Sequence, residues 1–290
     1  IGGRSMPIKL ENVSYTYAPG TSLAVQALRG VTLDVADGEF VGVMGATGSG
    51  KSTLIQLIAG LIKPTEGQIL LGGEDINARK YDRGALHRKV ALVFQHPEHQ
   101  LFETTVERDV GFGMRSLGLT KEETAAAVRA ALEIVGLDYD AVRDKSPLGF
   151  SDGEKRRIAI AGVLAPKPGV LILDEPTAGL DPLGRRNFLN MVDALNADGT
   201  TIIMTSHDAD ALAEHARRII VLKNGALIRD GSTRDVFSDY YDLLHNGIGV
   251  PQVRRAAQLL RERGVDMPGS IIQYDEFIDR LKIIMWRKSR

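Results

Sequence analysis

Four short stretches of this chain hold residues that can do chemistry together. The first is Gly45-Ala46-Thr47-Gly48-Ser49-Gly50-Lys51-Ser52, followed by Thr53. Glycines at this density let the backbone turn without Cβ clashes, so successive N–H groups can converge on an anion. A helix beginning near Lys51 would add its own unpaired N–H groups. Lys51 would reach the β- and γ-phosphates of a nucleotide, and the Ser52 hydroxyl would ligate Mg²⁺. The second stretch is Asp174-Glu175, two carboxylates that end the apolar run from Val170 to Leu173. An Asp there can orient the water shell of a metal, and the adjacent Glu can polarise an attacking water as general base. The third is His207, just past the apolar run Thr201 to Thr205; a histidine at a strand's carboxyl end can reach a γ-phosphate. The fourth is Gln95, directly after Val90 to Phe94, where phosphate-sensing residues of α/β folds lie. Each has a plain structural reading when taken alone: a glycine turn, a strand ending in an acid, a core histidine, a loop. Paired with the glycine-rich loop, the acid pair becomes the second half of a nucleoside-triphosphatase site.

Such a site needs elements to hold it. Phe40 to Met44 reads as the strand entering the glycine loop, and Leu54 to Ile58 as the helix leaving it. Ile8 to Tyr17 and Leu28 to Val35 alternate and are β-rich, with Gly20 and Asp37-Gly38 as turns, so an antiparallel β layer is expected beside the site. Tyr15 and Tyr17 fall two apart on one strand face, as cross-strand packing or as an adenine-stacking platform. Gln68 to Leu71 reads as a further short strand. From Thr105 to about Pro166 the pattern is helical. Lys121 to Val135 puts Val128, Leu132 and Val135 on one face, and a second helix is expected from Glu154 to Leu164. This region reads as a helical subdomain inserted into an α/β core. His96 and His99 stand three apart with no third ligand, which favours a loop role over a metal. Ile219 to Leu222 and Ala226 to Ile228 form a hairpin across Asn224-Gly225, after which the core is expected to close near Gly231.

Beyond Ser238 the character changes. Val253, Ala256, Ala257 and Leu260 share one helical face, as do Phe277, Leu281 and Ile284, with a Gly264 to Gly269 turn between. Two short amphipathic helices are expected to pack on the core or on a partner. Arg254, Arg255, Arg261 and Arg263 read as a solvated face.

Composition closes off several classes. The chain has 290 residues, 25% of them charged, a formal net charge of −1 and no cysteine. No global basic field recruits nucleic acid. Disulfides and thiolate metal sites are excluded, and no apolar run approaches the roughly 20 residues needed to span a bilayer. Ile1-Gly2-Gly3-Arg4-Ser5 before Met6 reads as a remnant of cloning.

With these residues in order, the chain resembles the ATP-binding cassette (ABC) ATPases from Ile8 to about Gly231. Tyr17 stands at the adenine-stacking aromatic, GATGSGKS at Walker A, Gln95 at the Q-loop, VLILDE at Walker B, Ala178-Gly179-Leu180-Asp181 at the D-loop and His207 at the switch histidine. Phe150-Ser151-Asp152-Gly153-Glu154 takes the place of the LSGGQ signature, with Asp152 replacing its first glycine and Glu154 its glutamine. A narrower resemblance is to the ATPases of energy-coupling factor (ECF) transporters, carried by FQHPEHQLFETTVERDVGFG, IAIAGVLA, GLDPLGR and the helical tail. It is most similar to the second ATPase of the vitamin type, with the cobalt or nickel type as the alternative.

What the resemblance implies is concrete. The fold would be an α/β P-loop nucleotide-binding domain with an antiparallel β layer and a helical subdomain. Residues 6–237 would form this ATPase domain, with the subdomain at about 96–166, and 238–290 a C-terminal helical dimerisation element. ATP and Mg²⁺ would be the cofactors. Glu175, His207 and Gln95 would serve catalysis, and Ser52, Gln95 and Asp174 the metal. Tyr17, Gly45 to Thr53 and Asp174 would bind nucleotide in this chain, while Ser151, Gly153 and Asp181 would act across a head-to-tail dimer. Partners would be a second ATPase, with a heterodimer favoured over a homodimer, a transmembrane scaffold and a substrate-binding membrane subunit. The chain would sit peripherally on the cytoplasmic face of the cell membrane. The segment Glu98 to Phe102, next to the γ-phosphate sensor, would meet the scaffold. ABC ATPases of nucleic-acid repair carry long coiled coils that the Ser52 to Ser151 interval cannot hold, and those of translation usually carry two cassettes.

Overall fold

The computed structural model describes residues 6–288, so Ile1 to Ser5 and the last two residues lie outside the described residues. The chain opens with β1 (Ile8–Tyr17), β2 (Val25–Val35) and β3 (Phe40–Met44), then α1 (Lys51–Ile58), β4 (Glu66–Leu71) and β5 (Glu74–Asp75). After α2 (Arg83–Lys89) and β6 (Val90–Val93) come α3 (Val106–Val110), α4 (Lys121–Ile134), α5 (Tyr139–Val142) and α6 (Asp152–Leu164). The α/β pattern resumes with β7 (Val170–Asp174), α7 (Pro182–Ala197), β8 (Thr201–Thr205), α8 (Ala209–His215), β9 (Arg218–Lys223) and β10 (Ala226–Ser232). Four helices end the chain: α9 (Thr233–Ser238), α10 (Tyr240–His245), α11 (Gln252–Glu262) and α12 (Tyr274–Lys288).

Two sheets form. One is antiparallel, in the order β2-β1-β4-β5. The other has the order β10-β9-β3-β8-β7-β6, parallel except for β10. A parallel sheet is buried on both faces, and period-2 alternation sends neighbouring residues to different cores. Val41 and Val43 of β3, with Val170 and Ile172 of β7, join α1 and the antiparallel layer in one core. Phe40, Met44, Leu171 and Leu173 join the helical subdomain, α7 and α8 in the other. Helix α1 thus lies between the sheets, clamped where its first turn meets the glycine loop.

The inserted helices begin where their caps dictate. At α4, Thr120 accepts from the Glu123 N–H at 3.1 Å while the Glu123 carboxylate accepts from the Thr120 N–H at 2.8 Å. This reciprocal box satisfies two orphan donors of the first turn. Ser151 and Glu154 make the same box, so α6 starts at Asp152, two residues before the apolar pattern indicates. Leu101 is buried in the subdomain core, whereas Phe102 is exposed. His96 and His99 stack with ring centroids 5.5 Å apart, and no metal-ligating cluster occurs among the described residues.

The tail corrects three expectations. The main core does not close near Gly231: Val236, Phe237, Leu243 and Ile248 are all buried in it. The stripes of α11 and α12 meet each other rather than the main core, with Val253, Leu260, Phe277, Leu281 and Ile284 packed around Ala257, Met267 and Ile271. Periodicity identifies an apolar face but not what it meets, and the connection between the two helices returns α12 onto α11. Arg254 is not solvated. It is 2% exposed, and its guanidinium donates to the carbonyls of Phe237 at 3.2 Å and Ser238 at 3.0 Å and to Gln258 Oε1 at 3.2 Å. An arginine here caps the last carbonyls of α9 from another helix.

Replacing Arg254 with Met keeps most of the apolar stem and strands two buried carbonyls. The variant should lose about 2 kcal/mol or more of unfolding free energy. Urea denaturation checks this, and amide exchange should quicken in α9 to α11 before it does in the central sheet.

Candidate active site

The site is assembled by strand order. Because β3, β8 and β7 are adjacent and parallel, their carboxyl ends stand side by side. The glycine loop follows β3, Ser206-His207 follows β8, and β7 ends at Asp174 with Glu175 next. Strand β6, beside β7, delivers Gln95 to the same edge. Ligands of α/β folds bind at that edge, outside the strands' carboxyl ends.

Within the loop, two glycines are dictated by geometry. Gly45 has φ 155° and Gly50 φ 106°. A Cβ at Gly45 would collide with Ser49 and the Leu222 carbonyl, and one at Gly50 with the Ala27 carbonyl. Gly50 caps α1 with no side chain to offer, which leaves first-turn N–H groups free for an anion. Lys51 Nζ donates to the Gly45 carbonyl at 2.7 Å and to that of Ala46 at 3.4 Å. It also lies 3.4 Å from His207 Nε2. Burial pushes the Lys51 ammonium down from its ordinary value, and the Glu175 and Asp174 carboxylates pull it back up.

Opposite Lys51, one hydroxyl organises both acids. Thr205 Oγ1 donates to Asp174 Oδ1 at 2.7 Å and accepts from the Glu175 N–H at 3.0 Å. Glu175 has φ 46°, a left-handed conformation that a glutamate adopts only when its surroundings hold it there. Its carboxylate accepts from the His207 N–H at 3.2 Å and lies 3.4 Å from His207 Nε2. Glu175 Oε1 is buried without a hydrogen-bond partner.

A cleft of about 910 Å³ runs past these groups and is lined by Tyr17, Thr47 to Thr53, Gln95, Asp174, Glu175 and His207. Gly45 and Ala46 lie under it, as the carbonyls that hold Lys51. Tyr17 is exposed at one end, its hydroxyl 3.2 Å from Thr53 Oγ1, with Tyr15 edge-on at 4.8 Å between centroids. The structure does not bring Ser151, Gly153 or Asp181 to this cleft. Ser151 caps α6, and Asp181 caps α7 by accepting from the Gly184 N–H at 2.8 Å. Asp152 turns outward, its side chain 90% exposed and paired with Lys155 at 3.2 Å; the helix cap is Ser151, not Asp152.

The residues present fit a magnesium ion. Ser52, Gln95 and Asp174 line the same cleft and offer the hard oxygen donors that Mg²⁺ takes. No cluster of three acidic or histidine ligands exists among the described residues.

Sequence reading missed several groups. Arg29 and the Asn224-Gly225 turn also line the cleft, and the Gly225 N–H donates to the Ser49 carbonyl at 3.0 Å, bracing the loop. Asn-Gly signals a hairpin, but nothing local says which loop that hairpin supports. Thr205 was visible only as the last residue of a strand. Arg185 pairs with Asp208, tying α7 to the turn after His207.

A glycine loop, an acid pair and a histidine on three adjacent parallel strands, with a helical insertion and a flanking antiparallel sheet, define an ATP-binding cassette ATPase. The ABC transporter family model matches residues 28–178. The chain is 46% identical over 280 residues to the energy-coupling factor transporter ATP-binding protein EcfA2 of Symbiobacterium thermophilum, covering 97% of each. With the protein of that name from Clostridium perfringens it shares 46% identity over 92% of this chain and 94% of the other. The structure of cbiO1 from C. perfringens, part of the ABC transporter complex cbiONQ, is 36% identical with a TM-score of 0.72, covering 88% of this chain and 96% of that one. A dimeric ATP-binding cassette, MJ0796 bound to ADP and Pi, is 32% identical with a TM-score of 0.68, covering 78% and 99%. The chain therefore belongs to the ABC transporter family, as an ATP-binding subunit of the energy-coupling factor type.

Thr205→Val is close to isosteric and removes the hydroxyl shared by Asp174 and Glu175. ATP turnover should fall about tenfold while ATP affinity stays within about twofold, because one hydrogen bond of about 1 kcal/mol on each acid is lost. Steady-state kinetics with a nucleotide-binding titration reads both, and wild-type turnover would contradict the assignment.

Proposed function

We propose that this chain hydrolyses ATP at the cleft between Lys51 and Glu175 and so drives uptake of a vitamin or similar micronutrient through a membrane scaffold. The observation that carries the reading is the meeting of Lys51, Glu175 and His207 within 3.4 Å contacts, from the segments that follow β3, β7 and β8. Lys51 and the free N–H groups of α1 hold the phosphates, and Tyr17 presents its ring to the base. Glu175 accepts the proton of the attacking water, while His207 and Gln95 sense the γ-phosphate. Mg²⁺, held by Ser52, Asp174 and Gln95, supplies charge neutralisation at the phosphates when bound. Ser151, Gly153 and Asp181 face away from this cleft and serve the ATP of a second ATPase subunit.

Membrane attachment is proposed to be peripheral and cytoplasmic. Among the described residues no helix is long and apolar enough to cross a membrane. The scaffold's coupling segment is proposed to seat on Phe102 and Phe112, both exposed and edge-to-face at 4.8 Å, with Arg115 stacked 4.7 Å from Phe112. A separate membrane subunit would bind the substrate. The cobalt or nickel type is the second reading, favoured by the likeness to cbiO1 of the cbiONQ complex. The C-terminal helices α11 and α12, with exposed Ile283 and Met285, are proposed to contribute to ATPase pairing.

The signature favours a non-identical partner. Ser151 Oγ donates to Glu154 Oε2 at 2.6 Å, and this bond, followed by the Ser151 N–H, holds the Glu154 carboxyl below its ordinary range. The hydroxyl meant for an anionic phosphate is thus engaged by the Glu154 carboxylate, and the outward-turned Asp152 adds a second acidic residue to the same helix start. The composite site that uses this signature is the weaker one. In the reconstituted complex, Asp152→Gly should raise turnover or ATP affinity at that site. No change at either site would remove the argument for asymmetry.

The reaction itself is tested by a pair of variants. Glu175→Gln should bind ATP like wild type, trap a closed dimer and lose about a hundredfold or more in turnover. Lys51→Ala should weaken ATP binding about tenfold or more, since it removes the charge at the phosphates. Equal ATP affinity for Lys51→Ala and wild type would overturn the site.

A further inference from the structure

Arg156 lies one turn into α6, behind the signature, in a run (Lys155-Arg156-Arg157) that reads as ordinary helix surface. It is instead 6% exposed. Its Nη1 donates to the Ala178 carbonyl at 3.0 Å, and its Nη2 donates to the Pro176 carbonyl. These two carbonyls belong to the turn that starts at Glu175 and leads to Asp181. One guanidinium therefore fastens the signature helix to the turn that carries the catalytic glutamate.

Its third donor is idle. Arg156 Nε is buried with no partner, and so is Glu98 Oε2. Glu98 stands three residues after Gln95, in a short 3-10 turn (Pro97–Gln100) packed on α6, and its other oxygen lies 3.1 Å from His96 Nδ1. Burial pushes the Arg156 guanidinium down, and the Glu98 carboxylate is the charge that pulls it back, without an ion pair between them. Buried polar atoms left unpaired call for a cause. Here the two orphans have opposite charge and sit on elements packed against each other, so a shift of the turn against α6 that brings them together would satisfy both.

We infer that Arg156 is a positioning residue of the ATPase reaction: Glu98 closes onto its Nε when the Gln95 segment moves, and the closed contact sets the Pro176–Ala178 turn and with it Glu175. This deepens the proposed hydrolysis at Glu175 and rests on it. The contact would carry information in both directions between the cleft and the exposed surface at Phe102, because Glu98 lies between Gln95 and that surface. It is a two-position contact, made in one arrangement of the Pro97–Gln100 turn against α6 and broken in the other.

The test is a double-mutant cycle in the full-length chain within the reconstituted transporter complex. Wild type, Glu98→Gln, Arg156→Met and the double variant are compared for kcat, KM for ATP and thermal midpoint. Both single variants should lower kcat, Glu98→Gln by about fivefold and Arg156→Met by about tenfold or more, with KM for ATP within about twofold. The double variant should match Arg156→Met alone, because Glu98 acts through Arg156. Losses that multiply, or Glu98→Gln at wild-type kcat, overturn the inference. If Arg156→Met fails to fold, Glu98→Gln still decides: kcat must fall with the thermal midpoint unchanged. Glu175→Gln is measured alongside. Wild-type turnover there sinks the hydrolysis reading itself, whereas an inactive Glu175→Gln with a multiplicative cycle sinks only the role of Arg156.

Discussion

Adjacency of β3, β8 and β7 is the constraint on which the rest depends. Three parallel strands that share hydrogen bonds over Phe40 to Val43, Thr201 to Thr205 and Val170 to Asp174 must end at one level. The groups just past their ends then fall within a few ångströms of each other, although Lys51 and His207 lie 156 residues apart in the chain. Both sheet faces are buried, so a slip of one residue would exchange the two cores and is strongly resisted. The site inherits its rigidity from that packing. What the loops add is direction: positive-φ backbone at Glu175 and at three glycines of the phosphate loop, Gly45, Gly48 and Gly50.

Charge is balanced within the cleft rather than across the protein. Lys51 is buried and holds backbone carbonyls that a phosphate would compete with. Facing it are Asp174 and Glu175, both steadied by Thr205. The arrangement places a cation and a base on opposite walls of one channel, with His207 touching both. In the proposed reaction such a layout would tell a bound from a departed γ-phosphate, since that group would sit between the walls. Transmission outward then follows from attachment: Gln95 leads to Glu98 and Phe102, and Arg156 fastens α6 to the turn behind Glu175.

Much of this was legible in the chain because its signals are local. Strand, glycine loop and helix start lie within twenty residues, and the acid pair and histidine each end an apolar run. The antiparallel layer, the helical insertion and the Asn224-Gly225 hairpin follow from period and turn chemistry in the same way. Strand order is not local, so which motif neighbours which came from the resemblance rather than from pattern. Thr205 looked like any β-branched strand residue. Arg254 looked like surface charge and nothing local marked Arg156 as buried, because helical position shows which face a residue occupies but not whether another element covers it. The stripes of α11 and α12 were recognised for the same reason that their mutual pairing was not.

The central claim is that the Lys51–Glu175 cleft is half of a site and is completed by the signature of a second ATPase subunit. The most direct measurement is ATP turnover per subunit across a dilution series, for this chain alone and mixed with its partner ATPase. The account predicts turnover that rises with subunit concentration, falls away on dilution and is higher in the mixture than for the chain alone. Turnover per subunit that stays constant down to concentrations where the chain is monomeric would contradict it.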